Sequence, residues 1–329
     1  MLSIRIHHVA AVLSAMLGLC LCFATTSVTA GATEWADLRV TNGQLRITTS
    51  INGIPGYSII DTGAQINAIN ERFIRANDLD FRAAGNIKIS GINTTETRRQ
   101  LRSVPVAMFG AELDFKDVTE LGLGNKDLQM LFGAGFLMNF IFQLDYPNQR
   151  MRLITRDTMD LGKLKNLRSR KDRQDGGSPI VQMSLNDAKP IWLTLDTGNS
   201  GGILVERNIA KRAGWLETFA REDTTYSGVN STAHFEDFVL PKATIGPYEL
   251  ENVKVSVPAQ GERLALFKKE IRTGSNIRTK RGKAKGLIGY DVLKHFVVTI
   301  DYRSGDVHIA PPAPESEPAE SGTQASSQN

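Results

Sequence analysis

The chain has 329 residues, 41% of them hydrophobic and 22% charged, with a formal charge of +4 and two cysteines. That is room for one large or two modest domains, with the composition of an ordinary soluble globular protein. The charge is uneven: Lys268 to Lys285 hold eight Lys or Arg and one acid, a local +7 that leaves −3 elsewhere, so the protein is not basic throughout and no nucleic-acid partner is expected.

In chain order, Arg5 precedes an apolar run from Val9 to Phe23, and small and polar residues follow as far as Val28-Thr29-Ala30. This is the layout of a secretory signal peptide over residues 1–30. The run is short for a membrane span, which needs about 20 apolar residues, and no later run is long enough. Cys20 and Cys22 both lie in it, preceded by Leu19 and Leu21, too bulky for lipoprotein processing. The mature chain would then have no disulfide, no thiolate metal site and no cysteine nucleophile. An exported chain without cysteine suits a bacterial periplasm or secretion.

The next segments read as short strands. "LRITTSI", "YSIID", "NIKISGI", "VPVAMF" and "FIFQLDY" alternate or run apolar, are rich in β-branched residues and break at Gly, Asn or Pro. Glu71 to Asn77 and Glu206 to Ala213 read as short helices. Arg156 to Gly177 is polar, charged and ends in glycine, as linkers do. "FVVTIDYRSGDVHIA" reads as a hairpin turning at Ser304-Gly305. The Pro/Ser/Glu-rich residues 311–329 have too little apolar surface to repay their ordering. The sum is an all-β protein with small helices.

The chain also repeats itself. Asp61-Thr62-Gly63 is answered by Asp196-Thr197-Gly198, and Glu-Arg follows ten residues after each aspartate. Ser90-Gly91-Ile92-Asn93 is answered by Ser227-Gly228-Val229-Asn230, with the glycines 30 and 32 residues past the aspartates. Leu131-Phe132-Gly133 is answered by Leu287-Ile288-Gly289, and Asp-Tyr follows twelve residues later in both halves. The final glycines lie 72 and 93 residues from their aspartates, a difference taken up mainly by the basic insert 268–285. Two repeats result, residues 36–155 and 178–310, joined by 156–177.

The stretch Gly198-Asn199-Ser200-Gly201-Gly202 admits a serine-nucleophile reading, but that chemistry needs a histidine base and an orienting acid. The histidines before Ser200 are His7 and His8, in the signal segment; His234, His295 and His308 follow it without a catalytic context. The paired-aspartate reading finds its partners. Two carboxyls about 3 Å apart cannot both ionise and so share a proton. The ionised member can take a proton from water while the protonated member hydrogen-bonds a carbonyl, and a duplicated chain supplies one aspartate per half. The histidines have no metal-ligand spacing, and this chemistry requires no cofactor. Trp192 is expected in the core.

The ordered double set resembles the aspartic proteases of the pepsin and retropepsin clan, most closely the exported bacterial retropepsin-like members with two Asp-Thr-Gly lobes on one chain. The resemblance covers residues ~40–310. It implies two pseudo-symmetric β lobes around a cleft, with Asp61 and Asp196 as the catalytic pair. Thr62 and Thr197 would cross-bond to the opposite lobe, and Gly63 and Gly198 would let the backbone approach the carboxyls. Ser90, Gly91 and Ile92, with Ser227, Gly228 and Val229, would form flaps over an extended polypeptide substrate. The chain departs from the pattern at Asn199, Gln65, Ser200 and Ala134-Gly135. Asn199 is expected to donate its amide to Asp196 and favour ionisation there. The alternative is a non-catalytic peptide- or envelope-protein-binding module on the same fold. The basic insert reads as a solvated loop whose functional use would be docking to an anionic envelope surface, or processing.

Overall fold

The computed structural model describes residues 31–90, 95–172, 177–227, 232–262 and 284–312. The signal segment, the flap tips with Gly91, Ile92, Gly228 and Val229, residues 268–283 of the basic stretch and the tail beyond 312 lie outside the described residues.

The first repeat runs β1 (Ala36–Thr41), β2 (Gln44–Ile51), β3 (Ile54–Ile60), β4 (Ala68–Asn70), α1 (Glu71–Ala76), β5 (Ala83–Ser90) and β6 (Thr95–Met108). It continues through β7 (Ala111–Leu121), β8 (Leu128–Phe132), α2 (Ala134–Leu137), β9 (Ile141–Asp145) and β10 (Arg150–Ile154). The joining stretch carries α3 (Leu161–Leu164) and β11 (Ser169–Lys171). The second repeat runs β12 (Pro179–Leu185), β13 (Ile191–Leu195), β14 (Ile203–Val205), α4 (Arg207–Arg212), α5 (Trp215–Thr218), β15 (Glu222–Ser227) and β16 (Thr232–Ile245). It ends with β17 (Tyr248–Pro258), β18 (Gly286–Ile288), α6 (Tyr290–Leu293), β19 (Val297–Asp301) and β20 (Asp306–Ala310). The protein is an all-β, two-lobed fold with short helices.

Local chemistry explains these elements. In β2 the buried residues alternate with half-exposed or exposed ones, as period-two pleating demands of a strand with one wet face. In α1 Asn70 accepts the N–H of Arg72, a side-chain cap that starts the helix directly after β4.

Each lobe threads its strands alike. β8 lies between β3, to which it is parallel, and β4, to which it is antiparallel. β18 lies in the same way between β13 and β14. The hydrophobic-hydrophobic-Gly strand therefore sits under the loop that follows each Asp-Thr-Gly. Within the joining stretch, β11 pairs antiparallel with β12 as β1 does with β2, so it supplies the second lobe's counterpart of β1. At the far end of the basic stretch, Ala284 is buried and the Lys285 N–H donates to Trp192 O at 2.7 Å, so these two residues already belong to the second lobe.

The lobes are joined by sheet as well as by packing. β19 and β20 leave the second lobe's eight strands and extend the first lobe's sheet to twelve, β19 pairing antiparallel with β9. The register places Gln143 opposite Thr299, and the Gln143 amide donates to Thr299 Oγ1 at 2.9 Å. These two residues are also repeat equivalents, so the pseudo-twofold axis passes between them. Arg156 clamps the same seam: it makes a forked pair with Asp301 and donates to the carbonyls of Met138, Asn139 and Phe140. One hydrophobic core runs through both lobes.

Trp192 departs from expectation. It is half-buried rather than in the core, and the Arg170 guanidinium lies over its ring at 4.4 Å. Arg170 stands on β11, which β12 separates from β13, and its long side chain reaches across to the ring face. Trp215 is the tryptophan that packs inside.

Candidate active site

The aspartates sit at equivalent turns. Asp61 follows β3, and its N–H donates to Phe132 O on β8 at 3.0 Å; Asp196 follows β13, and its N–H donates to Ile288 O on β18 at 3.0 Å. After each turn the chain is held again by the same neighbour, through Ala134 N–H to Ala64 O and Tyr290 N–H to Asn199 O, both 2.9 Å. The glycines between these contacts are sterically required. A Cβ on Gly133 would lie 2.3 Å from Ile66 O, and one on Gly289 would lie 2.6 Å from Asn199 O.

Four hydrogen bonds cross between the two turns, all buried. The Thr62 N–H donates to Thr197 Oγ1 at 3.0 Å, and Thr62 Oγ1 donates to Leu195 O at 2.7 Å. The Thr197 N–H donates to Thr62 Oγ1 at 2.9 Å, and Thr197 Oγ1 donates to Ile60 O at 2.8 Å. Each hydroxyl thus gives and takes one bond, and each bond joins one lobe to the other.

This brace brings the half-buried carboxyls of Asp61 and Asp196 into hydrogen-bond contact with each other. Gly63 and Gly198 allow it, since a Cβ on Gly63 would lie 2.7 Å from Asp196 Cγ and one on Gly198 would lie 2.5 Å from Asp61 Cγ. Gly198→Ala is therefore expected to cost about 1–3 kcal/mol of stability through overpacking. It should also push the Asp61 carboxyl aside, with a loss of about a hundredfold or more in kcat/KM. Thermal melts and peptide kinetics on the same preparation check both effects.

Burial raises the affinity of both carboxyls for a proton. Asp61 is held back because its Oδ1 accepts the N–H groups of Gly63 and Ala64, at 2.8 and 3.0 Å. Asp196 is pushed well above the ordinary carboxylate range, by burial first and then by the charge of Asp61. Its Oδ1 accepts Gly198 N–H at 2.9 Å, and the backbone N–H of Asn199 assists.

Asn199 corrects one expectation. Its side chain does not donate to Asp196. The amide donates to Gly202 O at 3.2 Å, and its oxygen accepts Gly201 N–H at 3.0 Å. A short amide beside the backbone groups of its own turn closes on that loop instead. The serine-like letters around it have the same cause: they are packing. A Cβ on Gly202 would lie 2.4 Å from Lys254 O, and Ser200 is exposed, with its backbone against the Asn42-Gly43 turn of the first lobe. His234 stands on β16 beside Thr225 Oγ1, at 3.3 Å.

Ser90 and Ser227 end the strands β5 and β15, directly before residues 91–94 and 228–231, which lie outside the described residues. Two tyrosines beneath the site escaped attention in the sequence, although the repeated Asp-Tyr marked both. Tyr302 is fully buried and donates to Thr62 O at 3.2 Å. Tyr146 is its repeat equivalent on the other side, also buried, with its ring centroid 6.2 Å from that of Tyr290.

The two like β lobes meet at this carboxyl pair, braced by reciprocal threonines. Residues 47–139 match the model of the gag-polyprotein aspartyl protease family, and residues 181–292 match that of an aspartyl protease family. The chain carries two retropepsin-like aspartic protease domains in tandem. No curated protein matches it.

Proposed function

We propose that this protein is an exported aspartic endopeptidase that hydrolyses peptide bonds in extended polypeptides, with water activated between Asp61 and Asp196. The observation that carries the reading is the pair of mutually hydrogen-bonded carboxyls held by the four cross-lobe threonine bonds. One proton shared by the pair leaves one carboxylate to deprotonate water and one acid to hydrogen-bond the scissile carbonyl. Attack then forms a gem-diol, and the proton taken from water passes to the leaving amine as the C–N bond breaks. The paired strands of β5–β6 and β15–β16 lead to the two flap tips, and an extended backbone between them would be bound through its main chain.

Export rests on the signal-like residues 1–30, and a periplasmic or secreted location follows from it. Among the described residues no helix is long and apolar enough to cross a membrane. The basic stretch 268–285 is kept as a docking segment for an anionic envelope surface.

Incubation of the mature chain with an unfolded protein tests the activity. Internal cleavage that a pepstatin-like inhibitor stops is the expected result. Binding of the polypeptide without cleavage between pH 3 and 7, a range that brackets ordinary and raised carboxyl pKa values, would instead favour the binding module.

A further inference from the structure

We propose that Gln65, Ser178 and Tyr302 form a one-directional chain of hydrogen bonds ending on Asp61, which makes Tyr302 a positioning residue that places the negative charge of the pair on Asp61. The proposal rests on the peptidase reading only for its kinetic consequence.

The direction of the chain follows from which atoms can donate. Tyr302 Oη has one hydrogen and gives it to Thr62 O, at 3.2 Å. The contact between Ser178 Oγ and Tyr302 Oη, at 3.3 Å, must therefore use the serine's hydrogen. Ser178 Oγ in turn accepts from Gln65 Nε2 at 2.7 Å. Beyond Tyr302, Thr62 C=O and Gly63 N–H are two ends of one peptide group, and that N–H donates to Asp61 Oδ1 at 2.8 Å. Every donor in the series points towards the Asp61 carboxylate. Successive bonds of this kind polarise one another, so the last donor is strengthened by those behind it. Ser178 and Tyr302 are buried, which keeps water from competing.

The other half of the dyad has the same parts without the chain. Gly198 N–H donates to Asp196 Oδ1 as Gly63 N–H does to Asp61. Tyr146 occupies the place of Tyr302, but its Oη is buried and has no hydrogen-bond partner among the described residues. The asymmetry lies in the side chains. The β1–β2 turn takes the place of the β11–β12 turn and puts Gln44 where Ser178 stands, and the Gln44 amide oxygen accepts from Arg46 Nη2 at 3.2 Å. Ser200, the counterpart of Gln65, lies against that first turn.

Among the described residues, few titratable groups face the pair. Each carboxyl faces the other; Tyr302 at the end of β19 and Tyr146 at the end of β9 lie beneath, and Tyr290 of α6 faces Tyr146. Burial pushes the Tyr302 hydroxyl up to about 12 and holds the Tyr146 hydroxyl well above its usual value, so both stay protonated where the dyad titrates.

The test follows the carboxyl carbons of Asp61 and Asp196 by NMR in the full mature chain, assigned with the Asp61→Asn and Asp196→Asn variants. In the wild type the lower of the pair's two apparent pKa values should appear chiefly on Asp61. Tyr302→Phe should raise that lower value by about half a pH unit, roughly a threefold gain in proton affinity. Ser178→Ala should move it in the same direction by less, and Tyr146→Phe should leave it in place. The acidic limb of kcat/KM should follow the same order. An unmoved value in Tyr302→Phe, or an equal shift in Tyr146→Phe, would overturn the chain. A wild type that titrates as described but cleaves no peptide would sink the peptidase reading and leave the chain standing.

Discussion

Asp61→Asn and Asp196→Asn should each abolish peptide hydrolysis, lowering kcat by about a thousandfold or more, and the double variant should lose little beyond either single one. The reason is that the pair acts as one group. Asn at either position can neither take the proton from water nor share one with its neighbour, so the remaining carboxyl has no partner for the second half of the task. Effects of residues that act together are far from additive. Both variants should fold, because Asn nearly matches Asp in shape. Asp196→Asn should be the more stable protein at neutral pH. The folded pKa of Asp196 is raised well above its unfolded value, mainly by burial. Its contribution to stability is therefore complete below the unfolded pKa, about 3.9, and is lost as pH rises through the folded value. The wild-type melting temperature should accordingly fall over that window, relative to Asp196→Asn, and the two should converge in acid. Kinetics and thermal melts across pH separate the two claims. A single variant with substantial turnover would remove the paired-carboxyl mechanism, whatever the melts show.

The second large effect concerns the threonines. Thr62→Val keeps the shape of the side chain and removes the hydroxyl that donates to Leu195 O and accepts Thr197 N–H. Both of those backbone groups are then buried without a partner, at about 1–3 kcal/mol each. The expected loss is therefore about 2–6 kcal/mol. Thr197→Val should cost a similar amount, through Ile60 O and Thr62 N–H. The lobes should stay together, since β9 and β19 pair across the seam independently of the threonines. Activity should nevertheless drop steeply, because the brace sets the separation of the carboxyls. Thr62→Ser, which restores the hydroxyl, should recover most of both losses. Chemical unfolding midpoints and kcat/KM on these variants decide it; Thr62→Val with wild-type stability would mean that the four bonds are replaceable by water.

The repeat made the pair readable before any coordinates. Asp61 and Asp196 lie in matching contexts, and Glu71 to Asn77 and Glu206 to Ala213 mark the helices that follow because helix starts and hydrophobic periods are local properties of the chain. The order Asp-Thr-Gly, flap, hydrophobic-hydrophobic-Gly carries the fold for the same reason: each motif is a short stretch whose backbone needs are written in its own residues. Other features depend on which distant segments meet. Asn199 stands where an amide could reach Asp196, yet it bonds Gly201 and Gly202, because a closer pair of backbone groups competes for it. Trp192 looks like core and instead faces Arg170, since β11 contributes an edge that no local pattern announces. The hairpin of β19 and β20 was legible as a hairpin, but its addition to the first lobe's sheet was not, because strand pairing across 150 or so residues is chosen by the packing of whole lobes. Tyr146 and Tyr302 are identical letters in identical contexts. The side chains around them differ: Ser178 reaches Tyr302, while Gln44 in the matching turn is bonded to Arg46, and Tyr146 has no hydrogen-bond partner among the described residues. A repeat in sequence imposes like local conformations, whereas which side chains meet across the lobes is settled by tertiary packing at positions where the two repeats differ, and the difference between the two aspartates arises there.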